Sequence, residues 1–251
     1  MIRGVAGLVF LIGCWTAPLA GDAPLYVSVA VSLRPALEEA VAEYRPRGER
    51  SEVLLNSGGS AVLLQQIRHG APADLLISAS PDEIDRLVKE GLAVAATRRR
   101  LASNRLVVVV PPGVTVPRSV DELAGVEFDT VVVANPKTAP LGRYTRQALG
   151  ALGLWDRLEP RTVQAENARH ALDYVARGEV AAGVVYVTDA RLRGDGVGRG
   201  PEIPVRLHDP IRYEGVVLNG ASRPAEAAAL LEWLVSPVAR AVLERHGFAP
   251  P

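Results

Sequence analysis

The sequence predicts an α/β fold with mainly parallel sheets. Apolar runs of strand length alternate with segments of helical spacing along most of the chain. Loops carrying Gly, Ser or Pro separate them, so the repeated unit is strand, loop, helix. The composition agrees: 251 residues, 48% hydrophobic and 22% charged, are enough to bury a core and too apolar for a disordered chain.

Each element follows from local pattern. Leu25–Ala30 reads as a buried strand. From Leu33 the residues Leu37, Ala40, Val41 and Tyr44 share one helical stripe, which Gly48 ends. Val53–Leu55 is a short strand, Asn56–Ser60 a Gly/Ser loop, and Ala61 to about His69 a helix stopped by Gly70. Asp74–Ser78 is a strand, and Pro81–Glu90 a helix ended by Gly91. Leu106–Val110 is a strong strand that stops at Pro111-Pro112-Gly113. Thr130–Val133 is a strand, Pro140–Leu152 and Ala165–Arg177 are helices, and Val180–Tyr186 is a strand. A Gly-rich loop is expected over Arg193–Pro201, and strands over Val205–Leu207 and Gly215–Leu218. Helices over Pro224–Leu234 and Pro237–His246 close the chain.

The charge is balanced, with 28 Lys plus Arg against 28 Asp plus Glu. That gives no general attraction to nucleic acid or to acidic membranes. The run Arg98-Arg99-Arg100 reads as a solvated face. The first segment places Arg3 before an apolar run from Gly4 to Gly13, about half the ~20 residues of a membrane span. It reads as a secretory signal and predicts a periplasmic or extracytoplasmic protein. Two cuts compete. One follows Ala20, making residues 1–20 the signal. The other follows residue 13, because Leu11-Ile12-Gly13-Cys14 resembles a lipobox that would leave Cys14 lipid-anchored. Cys14 is the only cysteine, so either cut leaves no disulfide and no cysteine metal site.

Four strand-to-helix loops share one chemistry: Val31-Ser32, Ser60, Pro140-Leu141-Gly142 and Asn167-Ala168. Each offers free backbone N–H groups at the positive end of a helix. Converging helix starts suit an anion. Taken singly, each serine reads equally as an ordinary N-cap and Pro140 as an ordinary first-turn proline. Tyr186, at a strand end, reads alone as a core or rim aromatic. Ser60, His170 and Asp209 could be cast as a serine-hydrolase triad, but the chain has no G-x-S-x-G elbow. The four histidines show no metal-ligand spacing and are expected at the surface or at helix ends. Asp74, in GAPADLLIS, is expected to serve a cap or turn.

The stretches VSVAVSLRPALEEAV, SAVLLQQIRHGAPADLLISAS, RLVVVVPPG, ANPKTAPLGRYTRQALGALGLWDRL, AENARHALDYVARGEVAAGVVYVTDA and LLEWLVSPVARAVLERHGF carry a resemblance. In that order, and over nearly all of the chain after the signal, they resemble the molybdate-binding proteins of bacterial ABC importers. GAPADLLIS and the helix leading to GVVYVTDA are the most specific. The resemblance implies a two-lobed periplasmic-binding-protein fold, each lobe a mainly parallel sheet flanked by helices, with the ligand in the interlobe cleft. Lobe one would be residues 23–103 plus 208–251, and lobe two residues 104–207.

It also implies a binding protein rather than an enzyme. No cofactor or metal ligation is implied; the ligand is molybdate or tungstate, held through its oxygens. The partner would be the membrane permease of an ABC importer, with no nucleic acid, and the protein would act as a monomer. The ligand-binding positions carried over are Ser32, Ser60, the backbone N–H groups of Leu141 and Ala168, and the Tyr186 hydroxyl. A receptor for another oxyanion such as sulfate is the alternative.

The sequence departs from the family in places. Gly58, Gly59 and Ala61 surround Ser60 where several hydroxyl residues are usual. Leu141 is bulkier than the common small residue, and Asn135 replaces a common aspartate. Arg34, Arg143 and Arg169 lie beside the expected donors; solvent is expected for Arg34, and the other two are open.

Overall fold

The computed structural model describes residues 23–44 and 52–251. The expected export signal, both candidate cut sites, Cys14 and the expected Gly48 helix stop lie outside them. The chain begins with β1 (Leu25–Ala30), α1 (Arg34–Glu43), β2 (Val53–Gly58), α2 (Ser60–Arg68), β3 (Leu75–Ser78), α3 (Pro81–Lys89) and β4 (Arg99–Ser103). It continues with β5 (Leu106–Val110), β6 (Val131–Ala134), α4 (Pro140–Ala151), α5 (Trp155–Leu158), β7 (Thr162–Ala165), α6 (Ala168–Ala176), β8 (Ala182–Tyr186), α7 (Val187–Arg193) and β9 (Gly198–Ile203). It ends with β10 (Arg212–Val217), α8 (Pro224–Leu234) and α9 (Pro237–Arg245).

Two five-stranded sheets result, in the orders β2-β1-β3-β10-β4 and β7-β6-β8-β5-β9. In the first, β1 pairs in parallel with β2 and β3, while β10 runs antiparallel to β3 and β4. In the second, β6 pairs in parallel with β7 and β8, while β5 runs antiparallel to β8 and β9. Both sheets are therefore mixed, which refines the expectation of mainly parallel ones. The parallel strands are those joined through helices. The strands antiparallel to both neighbours, β5 and β10, are the first strands the chain forms after passing from one sheet to the other.

Burial explains the strong strands. Every residue of β3, β5, β6 and β8 is buried. Each Val or Leu so placed contributes about 1.5–3 kcal/mol. Local chemistry explains several ends. Ser80 caps α3 by accepting the Asp82 N–H at 3.3 Å, and Ser236 caps α9 by accepting the Ala239 N–H at 3.3 Å. Asp74, 1% exposed, accepts the Tyr26 and Ser222 N–H groups at 2.8 and 2.6 Å. It thereby ties β1 to the loop before α8, the structural role expected of it.

Four expectations need correction. The Gly-rich loop at Arg193–Pro201 contains the start of β9, which pairs with β5 from Val110↔Gly198 to Leu106↔Ile203. Val205–Leu207 is a single 3-10 turn, not a strand. The helix expected from Ala165 starts only at Ala168, because Thr162–Ala165 is strand β7 beside β6. The strand expected over Val53–Leu55 also runs on to Gly58, into the expected Gly/Ser loop, and the sequence reading left out β4, α5 and α7.

Candidate functional site

The carboxyl ends of β1 and β2 lead into α1 and α2, and those of β6 and β7 lead into α4 and α6. In open α/β sheets such ends are where ligands sit. Here they converge on one small cavity. Ser32, Ser60, Leu141, Ala168 and Tyr186 all line it, so the structure brings together all five residues singled out from the sequence. Ser32 and Ser60 come from the first-sheet side, and the other three from the second. Among the described residues, no Asp, Glu, Lys, Arg or His lines the cavity.

The serines are not N-caps. Leu33 precedes α1 and Gly59 precedes α2, and neither helix start has a side-chain cap. Ser32 lies in the turn before α1, and Ser60 is the first residue of α2. The Leu141 N–H is in the first turn of α4, whose start also lacks a side-chain cap. Ala168 opens α6, where Asn167 accepts the His170 N–H at 3.1 Å. First-turn N–H groups have no acceptor inside their own helix. Among the described residues, those of Ser60, Leu141 and Ala168 find none elsewhere. Each adds a donor to the positive end of a helix dipole.

Tyr186 supplies a second, independent sign of a ligand. It is 2% exposed, and its hydroxyl is buried without a hydrogen-bond partner. A buried, unpaired polar group is costly unless a ligand completes it. Burial also raises its pKa well above the ordinary phenol value, with Tyr213 and Tyr144 adding to the rise. The group stays an O–H donor.

Two glycines stand beside the cavity. A Cβ on Gly142 would lie 2.1 Å from the Ala134 carbonyl oxygen, so only glycine lets α4 start this close to the end of β6. A Cβ on Gly59 would lie 3.4 Å from the Thr138 carbonyl oxygen on the facing wall. That is ordinary contact, so it is Gly142 and not Gly59 that the close packing requires.

The nearby charges are spent elsewhere. Arg143 pairs with the fully buried Glu83 at 2.9 Å, bridging α4 and α3. Arg169 lies 3.7 Å from Asp189. Arg34 donates to Glu38 at 2.7 Å and to Ser57 at 3.1 Å on the exposed face. Asn135 is taken up in the turn before α4, accepting the Lys137 N–H at 2.9 Å. Leu141 packs its side chain into the main core and leaves its amide at the cavity.

The family model described as bacterial extracellular solute-binding protein matches residues 25–249. The chain belongs to that family. Two relatives of this solute-binding protein carry the name molybdate-binding protein ModA. The one from Haemophilus influenzae is 32% identical, with 92% of this chain and 91% of that one covered. The one from Escherichia coli is also 32% identical, over 92% and 90%. Among solved structures, the periplasmic molybdate-binding protein of Azotobacter vinelandii superposes with a TM-score of 0.82 at 27% identity. That match covers 90% of this solute-binding protein and 99% of the other chain.

The hydrolase triad is not assembled. Ser60 Oγ accepts the Ala79 N–H at 3.1 Å, His170 pairs with Glu166 at 3.3 Å, and Asp209 accepts from Gln147 at 2.7 Å. The expectation of surface histidines fails for His208, which is 9% exposed and packs against the Tyr144 ring at 5.9 Å. Arg98, Arg99 and Arg100 are each paired with an acid, Glu214 serving two of them. The sequence reading missed Asn104 and Tyr213, which stand directly behind Ser32. Tyr213 is 181 positions from Ser32, so no local spacing could reveal the contact.

Proposed function

We propose that this protein binds molybdate, and also tungstate, outside the cytoplasm and delivers it to the membrane permease of an ABC importer. The observation that carries the reading is a cavity lined by uncharged donors: three unpaired first-turn amides, two serine hydroxyls and the unpaired Tyr186 hydroxyl. A deprotonated oxyanion accepts hydrogen bonds on every oxygen and needs no proton acceptor from its site. Bonds from neutral donors to a charged ligand are roughly twice as strong as neutral pairs. They act in a closed setting where fixed dipoles are screened less than in water. The ModA names and the Azotobacter structure support the choice of molybdate among oxyanions.

The ligand-contacting groups in this reading are Ser32, Ser60, the Leu141 and Ala168 amides and Tyr186. The lobes divide at residues 103/104 and 207/208. In support, the strands of one sheet all lie within 25–103 and 212–217, and those of the other within 106–203. Because donors from both lobes face one cavity, ligand would favour the closed arrangement of the lobes. The protein acts as a monomer, exported by its N-terminal signal.

The test is the melting temperature of dialysed protein with molybdate, tungstate, sulfate or phosphate. At a thousandfold excess over Kd, binding adds about 4 kcal/mol. For a chain of this size that is a rise of about 8–16 °C. Molybdate and tungstate are expected to give it, and phosphate is not. No rise with molybdate or tungstate would overturn the reading.

A further inference from the structure

Ser32 Oγ lies 2.7 Å from Tyr213 Oη, and that contact alone does not say which hydroxyl donates. The neighbours decide. Asn104 Oδ1 accepts the Arg105 N–H at 2.9 Å, which fixes the orientation of the amide. Its NH2 group then faces Thr188 Oγ1 at 2.9 Å and Tyr213 Oη at 3.3 Å. The two amide hydrogens are taken by these two oxygens. Tyr213 Oη accepts from Asn104, and among the described residues the one acceptor left for its own proton is Ser32 Oγ, so Tyr213 donates to Ser32. Ser32 accepts on one lone pair, and its own proton has no acceptor except a ligand in the cavity it lines.

We propose that Asn104 and Tyr213 are positioning residues that hold Ser32 as a donor, and so select a fully deprotonated oxyanion over one that carries a proton. The proposal rests on the oxyanion reading above and adds the groups that enforce its selectivity. A ligand O–H could be accepted only on the second lone pair of Ser32. That would leave the serine proton buried without a partner, an unfavourable state. Ser60 is held in the same sense, because its Oγ already accepts the Ala79 N–H. Tyr213 is fully buried, and burial raises its pKa far above the ordinary phenol value, so it keeps its proton across the accessible pH range.

Position adds a second consequence. Asn104 lies between β4 and β5, where the chain first crosses between the sheets. Thr188 is in α7 beside the second sheet, and Tyr213 is in β10, the first strand after the return crossing. The relay thus spans both crossings, and the donor sense of Ser32 depends on how they pack together.

Two variants test the proposal through the ratio of phosphate Kd to molybdate Kd. Tyr213→Phe keeps the ring and frees Ser32 to turn. The ratio is expected to fall by about tenfold or more. Asn104→Asp keeps the acceptor for Arg105 N–H but replaces the NH2 by a carboxylate oxygen, which accepts from Tyr213. The proton chain then reverses, and Ser32 presents a lone pair to the cavity. This variant is expected to gain phosphate binding at pH 8, where phosphate is the dianion HPO₄²⁻ and still carries the one proton that Ser32 would accept. At that pH phosphate and molybdate carry the same charge, so a field effect of the new carboxylate would weaken both alike and leave their ratio unmoved. If the unaltered protein prefers molybdate and either folded variant keeps its ratio within threefold, the proposal is overturned. If the unaltered protein binds no oxyanion, the oxyanion reading itself fails.

Discussion

Asp189, in the first turn of α7, is a carboxylate placed beyond the reach of water. It is 1% exposed, and its Oδ2 has no hydrogen-bond partner. Burial pushes its pKa up from 3.8 to about 7, and Arg169, 3.7 Å away, offsets only part of the rise. The folded state therefore holds a proton that the unfolded chain releases between these two values. The stability linked to that proton is complete below about pH 4 and is lost as pH rises through about 7. Its full size is about 4 kcal/mol. Asp189→Asn should flatten this fall, and denaturant unfolding across pH 4–8 would show it. An unchanged slope would remove Asp189 as the cause. Ser60 makes a different prediction at the same scale. Ser60→Ala deletes a donor to the ligand, and a bond to a charged group is worth about 1.5–3 kcal/mol. Molybdate Kd should rise roughly tenfold to a hundredfold by calorimetry, and an unchanged Kd would take Ser60 out of the site.

Among the elements, α4 does the most to shape the cavity. It supplies the Leu141 amide at its start, and further along it sends Arg143 to Glu83 and Gln147 to Asp209. Its seat on β6 depends on Gly142, where a Cβ would meet the Ala134 backbone. Gly142→Ala should therefore lift the helix start, at a cost of about 1–3 kcal/mol. It should also weaken oxyanion binding by moving the Leu141 amide. A variant with unchanged melting temperature and Kd would contradict this. Elements were legible in the sequence where both faces of a strand are buried, as in the all-apolar LVVVV of β5. They were least legible at the sheet margins, where β2 was read only over Val53–Leu55. β4, β7 and β9 are all edge strands, with sequences RRLAS, TVQA and GRGPEI. Each is held by a ladder on one side only and has no continuous apolar run to declare it. Pro201 is tolerated in β9 for the same reason.

At the scale of the whole molecule, the five residues taken from the family resemblance line one cavity, although no spacing in the chain could have shown their convergence. Each helix start was visible alone; that they face one another depends on how two sheets pack. The relay behind Ser32 was invisible for the same reason, since its members stand at 32, 104, 188 and 213. The order of strands in the first sheet bears on how the molecule is made. β10 lies between β3 and β4, so β4 has no neighbour until residues 212–217 have been synthesised and delivered. The second sheet is complete within 106–203, a single run of chain. Long-range pairings form late, because loop closure must be met before the contact can reward it. The second sheet should thus acquire protected amides first during refolding, with β3 and β4 protected together only when β10 docks. Pulse-labelled hydrogen exchange would read that order, and simultaneous protection of both sheets would refute it. The order has a consequence: β3 and β4 lack their shared partner until about the last sixth of the chain is available, so one half of the molecule stays pliant while the other can already close its sheet.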